Sequence, residues 1–279
     1  MQELPPQIHE LLKSATQTHT PCGSGSVVWH SWGSGAPVVL LHGGSGSWTH
    51  WLRNIQALVD AGRQVLVPDL PGFGDSALPP GSHDADGVPA PLAEGLQLLL
   101  GDARCDVVGF SFGAMAAGLL CADHPERAAR LVIVGAPALG VVPKRLVDLK
   151  GWRHFKDPAR QDAAHRHNLA VLMLHDANGI DDETLALHKA NVVRDRMPGR
   201  RLAYTDLLAQ ALRRVACPVH AIYGQEDALY RGYMPALVAA LPQGTGDFRG
   251  LRQIPGAGHW VQYECADAFN AALAQALAA

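Results

Sequence analysis

The apolar and polar positions of this chain come in blocks of different period. Residues 26–33 (SVVWHSWG) follow the two-residue alternation of a strand. APVVLLHGG (36–44) is an unbroken apolar run ending in glycines, which suits a strand buried on both faces. SWTHWLRNIQALVDAG (47–62) carries helical spacing and stops at Gly62, a residue fit for a helix C-terminal cap. RQVLVPDL (63–70) predicts another buried strand, followed by the turn-rich PGFGDS. Beyond it the pattern predicts a helix over 90–101, a strand over 104–109, a helix over 112–123 and a strand over 130–134.

Strands alternating with helices imply an α/β fold with a mostly parallel sheet flanked by helices. The alternation breaks near residue 139. DPARQDAAHRHNLAVLMLHDA and DDETLALHKANVVRDRM are long helical stretches with no strand period between them. Strand spacing resumes in CPVHAIYG (217–224), followed by a helix at about 231–241, a strand at 248–254 and an Ala-rich helix from about 262. The expected organisation is one α/β core, residues 1–138 and 206–279, interrupted by a helical cap over 139–205. A lid in that place shapes a pocket and excludes water.

The 279 residues are 48% hydrophobic, enough for a large core. A net charge of −3 supplies no basic footprint, so no nucleic-acid partner is expected. No apolar run reaches the length of a membrane span. Cys22, Cys105, Cys121, Cys217 and Cys265 are scattered, odd in number and without a CxxC pair, which argues against a disulfide framework. With no basic stretch leading into an apolar one at the chain start, a cytoplasmic location is expected. A homodimer stays open. His165 and His167, two residues apart on a helix, do not share a face, so neither they nor His154 and His175 predict a metal site.

The chemistry concentrates at strand ends. G-x-S-x-G occurs once, as Gly109-Phe110-Ser111-Phe112-Gly113, between a predicted strand and a predicted helix. A turn that sharp needs small residues at both glycine positions, and it holds the hydroxyl at the positive end of the helix. A serine hydroxyl needs a base. His259, in QIPGAGHW after the last strand, is the candidate; His42, in LHGG, reads as a loop-ordering residue. A carboxylate must hold the base's tautomer. Asp227, in YGQEDALY after the penultimate strand, is favoured over its neighbour Glu226, and GAPALG after the strand at 130–134 offers no acid. Gly43 and Gly44 in LHGGSGSW follow a buried strand, where amides can face a pocket. The Gly44 amide, with that of Phe112, is assigned to a developing oxyanion. Neither GxGxxG nor GxxxxGK[ST] occurs, which removes the nucleotide-loop reading.

These motifs together resemble the α/β-hydrolase superfamily: LHGGSGSW its oxyanion loop, PDLPGFGDS its next strand loop, GFSFG its nucleophile elbow, GQED and GAGHW its acid and histidine loops. The resemblance covers roughly residues 25–137 and 206–279. It implies an eight-stranded, parallel-rich sheet, a helical cap and a Ser111–Asp227–His259 triad without metal or organic cofactor. Serine at the nucleophile position sets aside haloalkane dehalogenases and epoxide hydrolases, which use aspartate there, and prolyl aminopeptidases usually carry GGSWG. The oxyanion loop and cap stretch are similar to meta-cleavage-product hydrolases. Those enzymes place Asn before the nucleophile and Arg on the cap to hold a dienoate carboxylate. Here the positions carry Phe110 and, loosely, His188, with Lys189 and Arg194 nearby, so the clamp is incomplete.

The expected substrate pocket comprises Gly43, Ser45, Trp48, Phe110, His188 and Trp260. The resulting expectation is a serine hydrolase cleaving a small, mainly apolar ester or related carbonyl compound through an acyl-enzyme. Carbon–carbon bond hydrolysis of a diketone or dienoate is the alternative within the enzyme class. A ligand receptor that keeps the fold and pocket is the alternative outside it.

Overall fold

The computed structural model describes residues 6–81, 83–143 and 147–278. The reading of the chain start as lacking a leader falls partly on residues 1–5, outside the described residues. The elements in chain order are α1 (Pro6–Ser14), β1 (Thr16–Cys22), β2 (Gly25–Trp32), β3 (Ala36–Leu41), α2 (Ile55–Asp60), β4 (Arg63–Pro68), α3 (Pro89–Leu100), β5 (Cys105–Phe110), α4 (Phe112–Asp123) and β6 (Ala128–Val134). Then follow α5 (Pro158–Asn168), α6 (Asp182–Val192), α7 (Leu207–Leu212), β7 (Val219–Gly224), α8 (Met234–Gly244), β8 (Phe248–Ile254), α9 (Val261–Glu264) and α10 (Ala266–Ala278). Among the described residues no strand lies between β6 and β7.

One eight-stranded sheet has the order β1-β2-β4-β3-β5-β6-β7-β8. Only the β1–β2 and β2–β4 pairs are antiparallel; every pair from β4 to β8 is parallel. The unbroken apolar runs follow from helices covering both faces. Along β3, Val39 and Leu41 belong to one core cluster and Val38 and Leu40 to the other. Val107 and Val108 divide in the same way. Successive side chains point to opposite faces, so a strand covered on both sides is apolar at every position.

One strand left no hydrophobic signal. β1 (TQTHTPC) is an edge strand that buries only Thr20 and Cys22, so pairing with β2 rather than apolar alternation defines it. α1 buries Ile8 alone.

The predicted helix over 47–62 is shorter than expected. Its first part is a 3₁₀ turn, Trp48–Trp51, with the Ser47 hydroxyl accepting from the Thr49 amide. Buried Asn54 then donates to the Gln262 carbonyl at 3.0 Å and to Asn270 at 2.8 Å, and α2 starts only after it. The predicted helix over 157–177 is regular only to Asn168. A wider π turn over Leu169–Met173 follows, with the Leu174 amide donating to Leu169 O. The Ala-rich helix is split at Cys265. Just before the split, the Glu264 carboxylate accepts from the amides of Gly258, His175 and Asp176 at 2.6, 3.1 and 2.8 Å. That one carboxylate ties the loop before His259 to the segment between β6 and β7. Among the described residues no helix is long and apolar enough to cross a membrane.

Burial makes two core histidines acid-sensitive. His30 and His42 are 4% and 0% exposed, and burial pushes each from 6.5 down to about 4. The fold holds them neutral, whereas the unfolded chain takes up their protons below pH 6.5. Their contribution is therefore intact above pH 6.5 and is lost as pH falls toward 4, at about 1.4 kcal/mol per pH unit for each. Chemical denaturation at pH 7, 5.5 and 4.5 is expected to show a falling midpoint; a flat profile would refute this account.

Candidate active site

The strand-to-helix turn after β5 is as tight as the glycine spacing requires. Ser111 has φ 52° and ψ −115°, a conformation uncommon for a residue with a side chain. A Cβ on Gly113 would lie 2.3 Å from Leu41 O and 2.4 Å from His42 O. One on Gly109 would lie 2.3 Å from Gly113 O. β5, the start of α4 and the loop after β3 thus meet backbone to backbone. The Ser111 amide donates to Val134 O at 2.8 Å, which anchors the turn to β6.

His259 and Asp227 reach Ser111 from loops at the same sheet edge. His259 Nε2 lies 3.0 Å from Ser111 Oγ. His259 Nδ1 lies 3.0 Å from both Asp227 oxygens. Both side chains are almost fully buried, at 2% and 1% exposure. Asp227 Oδ1 also accepts from the Leu229 amide at 2.9 Å. With its Nδ1 proton directed at Asp227, the imidazole presents the Nε2 lone pair to the serine hydroxyl. Glu226 is exposed. A Cβ at Gly135, in the loop after β6, would sit 3.1 Å from His259 Nδ1 and 3.3 Å from Asp227 Oδ2. A bare backbone is what fits beside the pair.

The loop after β3 is held by two imidazoles. The Leu70 amide donates to His42 Nε2 at 2.8 Å, so Nδ1 carries the proton and donates to Gly43 O at 2.8 Å. The Gly43 amide donates to His50 Nδ1 at 3.2 Å. Burial holds the His50 pKa well below the usual histidine range, which keeps that acceptor lone pair free. Both polar atoms of the Gly43 backbone are therefore taken. The amides of Gly44 and Phe112 find no acceptor among the described residues. A Cβ on Gly44 would lie 3.5 Å from Phe112 Cβ, so the two segments stand side by side.

Ser111 and His259 open onto a cavity of about 360 Å³. Gly43, Gly44, Ser45, Phe110 and Phe112 line it, as do Met115, Leu172 and Met173. Three residues expected in the pocket do not. Trp48 packs on His30 and Trp32, with ring centroids 5.1 and 5.6 Å apart, because Asp69 fixes its backbone amide at 2.9 Å. Trp260 stacks on Tyr263 at 4.1 Å and donates to His50 O at 3.2 Å, filling core beneath the site. His188 lies against His165 at 5.3 Å, and burial pushes its pKa down to about 3, so it is neutral. Lys189 and Arg194 are occupied elsewhere: Lys189 pairs with Asp162 at 2.5 Å and Arg194 with Asp75 at 3.2 Å.

The cavity also contains a residue that the sequence did not reveal. Arg200 lines it, its guanidinium 4.9 and 5.4 Å from the Phe73 and Phe112 ring centroids. It follows a Pro-Gly turn with no periodic signal, and its partner Ser45 lies 155 residues earlier in the chain. Among the described residues no group of three or more potential metal ligands forms.

A model of the α/β hydrolase family matches residues 38–272. Curated relatives include a 2-hydroxy-6-oxo-6-phenylhexa-2,4-dienoate hydrolase of Burkholderia cepacia, 28% identical over 85% of this chain and 86% of that protein. A 2-hydroxy-6-oxononadienedioate/2-hydroxy-6-oxononatrienedioate hydrolase of Pseudomonas sp is 29% identical over 88% of this chain and 90% of that protein. Among solved structures, a meta-cleavage product hydrolase from Pseudomonas fluorescens IP01 superposes with a TM-score of 0.76 at 21% identity, covering 93% of this chain and 97% of that one. A serine hydrolase involved in carbazole degradation gives a TM-score of 0.72 at 22% identity, covering 95% and 99%. At these identities the structural likeness is one of fold.

Proposed function

The chain belongs to the α/β hydrolase family, and on that premise we propose that it is a serine hydrolase cleaving a small, mainly apolar ester or related carbonyl compound through an acyl-enzyme. The supporting observation is the hydrogen-bonded line from Ser111 Oγ through His259 to Asp227 at the wall of a mainly apolar cavity. His259 Nε2 takes the hydroxyl proton as Ser111 Oγ attacks the carbonyl carbon. The oxyanion that forms is held by the free Gly44 and Phe112 amides. His259 then gives its proton to the leaving alcohol as the carbon–oxygen bond breaks. Water, deprotonated by the same imidazole, cleaves the acyl-enzyme, and Ser111 recovers its proton. Asp227 holds the tautomer and stabilises the imidazolium throughout. Residues 139–205 act as a cap that excludes water from the cavity.

Carbon–carbon bond hydrolysis is the second reading, favoured by the activities that the curated relatives are named for. Against it, Phe110 offers no hydrogen bond to a carboxylate, and Lys189 and Arg194 are already paired. Wild-type protein is offered p-nitrophenyl butyrate beside a 2-hydroxy-6-oxo-6-phenylhexa-2,4-dienoate. Turnover of the ester supports the first reading, and turnover of the dienoate alone moves the assignment to the second. Intact mass after fluorophosphonate treatment separates either from a receptor, since only an activated serine gains the adduct.

A further inference from the structure

We propose that Arg200 and Ser45 at the cavity wall, with Asp195 behind them, form a charge-neutral polar subsite, which takes an uncharged hydrogen-bond acceptor of the substrate and turns away a carboxylate. The inference rests on the serine-hydrolase reading above and narrows its substrate class to neutral carbonyl compounds.

Among the described residues, Arg200 and His259 are the basic side chains in the cavity lining. A Cβ on Gly44 would lie 3.3 Å from Arg200 Nη2, so the guanidinium abuts the loop carrying the proposed oxyanion amide. Its charge is matched in place: Nη1 donates to Asp195 Oδ1 at 2.8 Å and Nη2 to Asp195 Oδ2 at 2.9 Å. Nη1 also donates to Met197 O at 2.5 Å. Asp195 accepts further from the Ser45 hydroxyl at 2.5 Å and the Met197 amide at 2.9 Å. Burial alone would raise the Asp195 pKa, but Arg200, Ser45 and the Met197 amide together hold it below the usual carboxylate range, so the ion pair persists.

Donor capacity nevertheless remains. A guanidinium carries five N–H groups. Among the described residues the second Nη2 proton reaches only Ser45 Oγ, at a long 3.4 Å. A carbonyl or hydroxyl oxygen entering the cavity can accept that proton. A carboxylate there would meet the fixed negative charge of Asp195 across the same guanidinium, in a partly buried setting where like charges repel strongly. The side chains at 89% and 81% burial, Asp195 and Arg200, are too enclosed for water to screen this fully. Removing the Asp195 charge while keeping its shape should turn the subsite into an anion receptor.

The test compares kcat/KM for p-nitrophenyl butyrate with that for mono-p-nitrophenyl succinate, a neutral and an anionic acyl chain on one leaving group. Wild type is expected to favour butyrate. Asp195→Asn is expected to raise the succinate-to-butyrate ratio at least about tenfold, an effect that weakens with salt. Arg200→Met, which leaves Asp195 unpaired, is expected to hold the ratio at or below the wild-type value. A merely structural loss would lower both esters in both variants and move the two ratios together. An unchanged ratio in Asp195→Asn, or an equal rise in both variants, overturns the proposal. If wild type turns over neither ester, the ester reading fails, and calorimetry with benzylacetone and its carboxylate isostere hydrocinnamate decides the subsite. Asp195→Asn must then shift affinity toward hydrocinnamate by about tenfold; an unmoved preference, or no binding of benzylacetone to wild type, overturns it.

Discussion

Replacing Ser111 with alanine is expected to lower turnover of p-nitrophenyl butyrate at least about a thousandfold while leaving the melting temperature close to that of wild type. The substitution deletes one oxygen, whose recorded partner is His259 Nε2 at 3.0 Å. Alanine meets the same backbone strain at φ 52° as serine, so the turn loses nothing it had. The Ser111 amide keeps its bond to Val134 O, because that bond belongs to the main chain. What disappears is the atom that forms the acyl-enzyme. Residual turnover would come from binding and from the Gly44 and Phe112 amides. Equal turnover by the two proteins would mean that Ser111 is only a turn residue, and the proposed function would fall.

The second large effect is structural. Gly113→Ala is expected to destabilise the fold by at least about 3 kcal/mol, or to prevent its accumulation. The added Cβ would stand 2.3 and 2.4 Å from the carbonyl oxygens of Leu41 and His42. Neither obstacle is a side chain that can turn away; both are main chain at the end of β3, in the centre of the sheet. Relief therefore requires α4 to move off β3, which opens core on one face and tilts the elbow. Gly179→Ala is the control, since an added Cβ there meets nothing within 4 Å, and surface changes of that kind stay within about 0.5 kcal/mol. Thermal melts of the three proteins check the contrast. A Gly113→Ala protein melting with wild type would show that strand and helix are free to separate.

Much of the architecture was legible because the inner strands are covered on both faces. Runs such as APVVLL and VVGF have no polar positions, and each leads into the glycine-bearing tight turn that follows its strand. The convergence of the candidate site residues was legible for a related reason. Ser111, Asp227 and His259 each follow a strand, and loops after parallel strands gather at one edge of a sheet. Position in the strand order therefore stood in for position in space. β1 escaped notice because an edge strand need bury almost nothing, and its threonines carry no apolar alternation.

The pocket wall was illegible for the opposite reason. Trp48 was expected to face the substrate on a helix over 47–62, but Ser47 and Asn54 form bonds that break that helix into a 3₁₀ turn and α2. His188 was placed by loose alignment on α6, yet it faces His165 on α5. Arg200 and Asp195 owe their place to Ser45, 155 and 150 residues away, and no local period encodes such a distance.

By itself, then, the amino-acid order determined the alternation of elements, the parallel-rich sheet and the sharp turn at Ser111. Each of those depends on burial period and on glycine sterics within a few residues. Tertiary structure alone decided the 3.0 Å approach of His259 to Ser111, the exclusion of Trp48, His188 and Trp260 from the cavity, and the pairing of Arg200 with Asp195 beside Gly44. These arise where loops from distant parts of the chain pack together, and side-chain contact across such a gap is set by three-dimensional packing rather than by neighbours in sequence.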